Sequence, residues 1–123
     1  MKKKILICDD DEGILEMLEM VLEAEEYEVT TEQNSLKVFD RMAKVQPDIL
    51  ILDLWMPVLS GDQIISKVRS TSAYAHLPVL IISASRDGAE IAKNAGASAY
   101  LAKPFDIGDF MDAVDKLNTQ SAA

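Results

Sequence analysis

The stretch that decides the fold is Pro47-Asp48-Ile49-Leu50-Ile51-Leu52-Asp53-Leu54-Trp55-Met56-Pro57. Ile49 to Leu52 is a continuous aliphatic run, not an alternation, which is the pattern of a strand covered on both faces. An acid, Asp53, follows at once. The same arrangement recurs on either side: Ile5-Leu6-Ile7-Cys8 precedes Asp9-Asp10-Asp11, and Val79-Leu80-Ile81-Ile82 precedes Ser83. Ala97-Ser98-Ala99-Tyr100-Leu101 is a weaker version ahead of Lys103-Pro104. Tyr27-Glu28-Val29-Thr30-Thr31 alternates, as an edge strand with one wet face does.

Between these strands the apolar residues fall at helical spacing. Ile14, Leu18, Val21 and Leu22 predict a first helix, Leu36, Phe39 and Met42 a second, and Ile64, Ile65 and Val68 a third. A shorter helix is expected over Arg86–Asn94 with Gly96 as its C-terminal cap, and Ile107, Phe110, Met111, Val114 and Leu117 mark a last one. Five strand–helix pairs in a row predict an α/β fold: one (βα)5 domain whose doubly wound parallel sheet has right-handed crossovers and helices on both faces. The domain is expected to span residues 1–119, with a short polar tail at 120–123.

The 123 residues, 49% hydrophobic and 27% charged, suffice for a single core and no second full-sized domain. A formal charge of −9 repels phosphate backbones and anionic lipid, so direct nucleic-acid or membrane binding is not expected. The single cysteine, Cys8, allows no internal disulfide and is read as a small buried hydrophobe. The basic start Lys2-Lys3-Lys4 leads into an apolar run too short for a signal peptide, and a cytoplasmic location is expected.

In an open parallel α/β sheet, ligands bind outside the carboxyl ends of the strands. There the sequence places Asp9-Asp10-Asp11, Asp53, Ser83 and Lys103. Converging carboxylates repel one another, and a divalent cation is the simplest way to keep them ionised at neutral pH. All-oxygen ligands select a hard ion, Mg²⁺ first and Mn²⁺ as an alternative. A carboxylate nucleophile, a metal, a lysine and a hydroxyl together describe transfer of a phosphoryl group onto an aspartate.

These motifs, together with Ser60-Gly61 and Gly96-Ala97-Ser98-Ala99-Tyr100-Leu101-Ala102-Lys103-Pro104-Phe105, are similar to those of response-regulator receiver domains of two-component signalling, the family of the chemotaxis regulator. The resemblance covers roughly residues 3 to 117. It implies a flavodoxin-like strand order 2-1-3-4-5, with Asp53 as the phospho-acceptor. It further implies Mg²⁺ held by Asp9, Asp10, Asp53 and the backbone carbonyl of Trp55, Ser83 and Tyr100 as the switch pair, Lys103 as the partner of the phosphoryl group, and a cis bond between Lys103 and Pro104. The implied partners are a sensor histidine kinase or histidine phosphotransfer protein and a downstream protein target. The implied state is a monomer or a weak phosphorylation-dependent dimer, acting as a switch and not as a turnover enzyme.

Plainer readings stand beside these. The Asp9–Asp11 run also suits a helix N-cap, a role assigned to Asp11. His76, the only histidine, reads as a surface loop residue, so a phosphohistidine must come from a partner. The first helix is apolar over more than one stripe, which fits partner docking and core packing equally well. The loop and helix between Ser83 and Gly96 are about two residues shorter than is common in the family. The alternative function is a small Mg²⁺-dependent phosphohydrolase of the haloacid-dehalogenase type, with Asp9 and Asp11 as its acid pair, which leaves Asp53 without a role.

Overall fold

The computed structural model describes residues 2–121. Five strands, β1 Lys4–Cys8, β2 Glu28–Glu32, β3 Ile49–Asp53, β4 Val79–Ser83 and β5 Ala99–Ala102, alternate with five helices. These are α1 Glu12–Ala24, α2 Val38–Val45, α3 Gly61–Ser70, α4 Gly88–Ala95 and α5 Ile107–Ser121. All strand pairs are parallel, in the order β2-β1-β3-β4-β5. This is the doubly wound parallel sheet that the sequence predicts, in the flavodoxin-like order that the family resemblance implies.

The continuous apolar runs have a simple cause. Successive strand residues point to opposite faces, and here both faces are covered. Ile5, Ile7, Ile49, Ile51, Leu80 and Ile82 pack against Leu15, Leu18 and Leu22 of α1 and Phe110, Val114 and Leu117 of α5. Leu6, Cys8, Leu50, Leu52, Val79 and Ile81 meet Val38 and Met42 of α2, Ile64, Ile65 and Val68 of α3, and Ala92 of α4. Each fully buried aliphatic side chain contributes roughly 1.5–3 kcal/mol of transfer free energy, so the three central strands carry much of the stability.

Several boundaries differ from expectation. β2 begins at Glu28 and runs on to Glu32, which is buried, because its pairing with β1 continues to the Cys8–Glu32 register. The second helix does not bury Leu36. That residue lies in a single 3-10 turn, Ser35–Lys37, capped by the Asn34 side chain, which accepts from Leu36 N–H at 3.0 Å. The turn shifts the phase, so Val38 and Met42 face the core and Leu36 is exposed. β5 starts at Ala99 instead of Ala97. The tail expected at 120–123 is helical through Ser121, since no Gly or Pro follows Leu117 to stop α5, and residues 122–123 lie outside the described residues.

Two further features fix the sheet at its two edges, one where β4 and β5 begin and one at the site edge where β3 ends. Gly96 caps α4 in the left-handed conformation at φ 101°, and its carbonyl accepts from Arg69 Nε at 2.9 Å. Arg69 also donates to the carbonyls of Leu77 and Ala75 and to Ser98 Oγ, so one side chain from α3 ties the approaches to β4 and β5 together. At the start of α3, Gly61 N–H donates to Leu54 O at 2.7 Å, drawing the helix against the end of β3.

A Cβ on Gly61 would lie 2.6 Å from the Asp53 carbonyl oxygen and 3.1 Å from Leu54 Cα, both backbone atoms. Gly61→Ala is therefore expected to destabilise the protein by on the order of 2 kcal/mol, read from urea unfolding monitored by far-ultraviolet circular dichroism.

Candidate phosphoryl-acceptor site

The site is built where the covered strands end. β1 delivers Asp9 directly after Cys8, β3 ends on Asp53 and β4 on Ser83. Asp9 is fully buried, Asp53 is 6% exposed, and Asp10, one residue further along, is exposed. Carboxylate oxygens of Asp9, Asp10 and Asp53 lie within 4.8 Å of one another, an all-oxygen donor set that suits a hard divalent ion. Asp11 is separate from the cluster. Its side chain caps α1, accepting from Gly13 and Ile14 N–H, while Asp11 N–H donates to Asp9 Oδ1 at 2.9 Å and orients that carboxylate.

Lys103 enters from the end of β5, past a cis Lys103–Pro104 bond. Its Nζ lies 3.4 Å from Asp9 Oδ2 and 3.5 Å from Asp53 Oδ1, an ammonium set between two acids. Lys103 N–H donates to the Ser83 carbonyl at 2.8 Å, which fixes the height of the lysine relative to β4. Ser83 Oγ accepts from Ser85 N–H at 3.0 Å, so its own proton remains available to an acceptor on the site side.

The electrostatics follow from burial. Asp53 is pushed up from 3.8 to about 6, first by loss of hydration and then by the charge of Asp9, against the pull of Lys103. Burial also raises Asp9, opposed by the Asp11 N–H and by Lys103. The Cys8 thiol beneath them is pushed up to about 12 by burial and by Glu32, Asp9, Asp53 and Asp10. It donates to Met56 Sδ and stays an uncharged core group, as the sequence suggests.

Tyr100 is half-buried with its hydroxyl turned inward, donating to the carbonyls of Ser83 and Ser85 at 3.3 and 3.4 Å. Gly88 makes the room, since a Cβ there would lie 2.6 Å from the Tyr100 hydroxyl. Trp55 is 53% exposed beside the end of β3, and His76 is exposed in the loop before β4.

Every residue singled out from the sequence for the site therefore reaches the carboxyl edge of the sheet, and three of the acids converge. Residues 5–115 match the response regulator receiver domain family. The chain belongs to that family. The receiver domain is 33% identical over 116 residues to sporulation initiation phosphotransferase F of Bacillus subtilis, covering 94% of each chain. It is also 33% identical over 111 residues to transcriptional regulatory protein KdpE of Staphylococcus aureus, of whose length it spans 47%. Among solved structures, chemotaxis response regulator CheY4 of Vibrio cholerae superposes with a TM-score of 0.88 at 27% identity, over 95% of this chain and 99% of that one. These relationships establish a phosphorylation-based signalling switch and lend no support to the phosphohydrolase reading. Among the described residues no helix is long and apolar enough to cross a membrane.

Sequence reading did not single out Glu32, Arg41 or Gly88. Glu32 closes β2 and is buried; burial opposes its ionisation, but hydrogen bonds from Asn34 N–H and Arg41 Nε outweigh this and hold its pKa below the usual value. A Glu at the end of an alternating strand carries no signal of burial, because its partner Arg41, at 2.9 Å, comes from the following helix.

The raised pKa of Asp53 has a direct consequence for stability. Between pH 3.8 and about 6 the folded form retains a proton that the unfolded chain has lost, so stability falls as pH rises through that window. Above it the penalty is complete, up to about 3 kcal/mol at 1.36 kcal/mol per pH unit. Asp53→Asn is expected to raise the melting temperature at pH 7.5 in metal-free buffer, with the gain fading toward pH 4, as followed by thermal denaturation across pH.

Proposed function

We propose that Asp53 is the residue that accepts the phosphoryl group, from a phosphohistidine on a sensor histidine kinase or histidine phosphotransfer protein. The observation that carries this reading is the convergence of Asp9, Asp10 and Asp53 with the Lys103 ammonium between two of them. Asp9, Asp10, Asp53 and the Trp55 main-chain carbonyl would hold Mg²⁺, or Mn²⁺, which when bound neutralises charge on the transferring group. The donor chemistry fits, since every candidate ligand is an oxygen.

In this reading the other residues have distinct tasks. The Asp53 carboxylate attacks phosphorus in line with the departing imidazole nitrogen. Burial keeps water away from it and leaves it short of hydrogen-bond partners, so it meets an incoming phosphoryl group without first losing a solvent shell. Lys103 exchanges its contact with Asp53 for one with a phosphoryl oxygen, as a flexible point charge can. The Ser83 hydroxyl donates its available proton to another oxygen. Ser83 then pulls on its neighbours, and Tyr100, whose hydroxyl rests on the Ser83 and Ser85 carbonyls, transmits the change to the surface of α4, β5 and α5. A downstream protein target reads that surface.

His76 is exposed and lies where the chain enters β4, at the opposite end of that strand from Ser83, so the donor imidazole comes from another protein. A groove beside Lys103, of about 360 Å³ and lined by Ile14, Met17, Ala84, Pro104 and Phe105, offers that protein an apolar footing next to the acid cluster. This favours docking for the outer stripe of α1, where Met17 and Met20 are exposed while Leu15, Leu18 and Leu22 serve the core. The proposed setting is the cytoplasm, the proposed domain extends to the end of α5, and the proposed state is a monomer or a weak dimer formed on phosphorylation.

Incubation with a small acyl phosphate and Mg²⁺ is expected to label the protein stoichiometrically on an acid-stable gel. Asp53→Asn should reduce the label to background, and labelling that persists in that variant would reject Asp53 as the acceptor. Trp55 is half-exposed two residues after Asp53, and in this reading its ring restricts water approaching the phosphoryl group. Trp55→Asn is expected to hasten loss of the label severalfold, measured as the first-order decay after removal of the donor.

A further inference from the structure

Between Pro57 and Leu59 the chain makes a three-residue turn. Leu59 N–H donates to Pro57 O at 2.9 Å across Val58, whose φ is 73°. A γ-turn of this sense is rare and strained, and a β-branched residue is the type least suited to positive φ. Packing of its side chain does not explain the conformation, because Val58 is 73% exposed. Backbone in such a state persists only where its surroundings over-determine it.

Ser35 supplies that determination. It is 2% exposed, and its hydroxyl donates to Pro57 O at 2.7 Å while accepting from Leu59 N–H at 3.1 Å. One buried hydroxyl thus meets both ends of the strained turn, from a loop on the other side of β1 in the sheet order. Upstream, the same segment is anchored at Leu54, whose N–H donates to Ile82 O and whose carbonyl accepts from Gly61 N–H. Trp55, Met56 and Pro57 are therefore strung between two fixed points: the Leu54 anchor and the clamped turn. Met56 is buried between them with its sulfur accepting from the Cys8 thiol, so the Trp55 carbonyl lies in the short stretch whose two ends the Leu54 anchor and the clamped turn hold.

We infer that Ser35 is a positioning residue for the cation site, holding the Val58 turn in its strained form so that the Trp55 carbonyl is presented in register with the carboxylates of Asp9, Asp10 and Asp53. The inference rests on the proposed role of that carbonyl as a metal ligand. Ser35 touches neither the metal nor the phosphoryl group, and its action is confined to the loop. Without the hydroxyl, the turn relaxes toward an ordinary conformation and Trp55 leaves its place.

The test is isothermal titration calorimetry with MgCl₂ on four proteins: wild type, Ser35→Ala, Val58→Gly and the double variant, with urea unfolding of each in metal-free buffer. Ser35→Ala is expected to weaken Mg²⁺ binding roughly tenfold, the scale of losing one to two buried hydrogen bonds. Glycine adopts positive φ without strain, so in the Val58→Gly background the same serine substitution should cost less than about twofold. A Ser35→Ala protein that loses stability in urea but binds Mg²⁺ as wild type does would overturn the inference, since the serine would then be structural only. An equal loss of affinity in both backgrounds would overturn the link to Val58 and the inference with it. Wild type without Mg²⁺ binding would instead remove the proposed metal site itself, a failure separable from the others because it precedes any substitution.

Discussion

A parallel sheet covered on both faces leaves its side chains almost no place to be polar except at the ends of the strands. β1, β3 and β4 obey this throughout: their interiors are wholly aliphatic apart from Cys8, and the first polar groups, Asp9, Asp53 and Ser83, come where each strand runs out. Because the crossovers return every strand in the same direction, these ends lie along one edge. The site is a by-product of the same constraint that builds the core. Lys103 arrives there from β5 for the same reason.

That placement is costly for the isolated protein. Two buried carboxylates with a single ammonium between them are not fully compensated, and the raised pKa of Asp53 records the deficit. A site assembled for charge exchange is expected to be a weak point of the fold, with stability supplied by the aliphatic layers on either side. The same tension extends into the β3–α3 loop, where Val58 adopts a backbone that its side chain disfavours. Burial leaves the carboxylates of the centre short of compensating charge, the condition that a bound cation relieves.

Much of this was readable in the amino acids. Buried strands announce themselves as unbroken aliphatic runs, and the acids that follow Cys8 and Leu52 stand out against them. Helical periodicity located α1, α3 and α5 well. It misjudged the second helix because the Asn34 cap starts a 3-10 turn before α2, moving the buried face from Leu36 to Val38 and Met42. Arg69 gives no sign in the sequence that it will gather four acceptors from two segments, one of them more than twenty-five positions away. Ser35 likewise reads as an ordinary turn serine, since its partners lie more than twenty positions away.

Local order, then, is legible in the chain alone: which segments are strands, that the sheet is parallel, and that Asp9, Asp10, Asp53, Ser83 and Lys103 follow strand ends along one edge, with Tyr100 added only by the family resemblance. Periodicity is a property of neighbouring residues, and the alternation of strands with helices makes the sheet parallel, so the order of residues reports both. The distances came only with packing: three carboxylates within 4.8 Å, an ammonium between two of them, a tyrosine turned inward over a glycine, and a buried serine hydroxyl bonded to both ends of the Val58 turn. Those depend on how side chains from separate segments share a volume from which water is excluded. That exclusion gives each charge and hydroxyl its strength, and it exists only once the layers have packed.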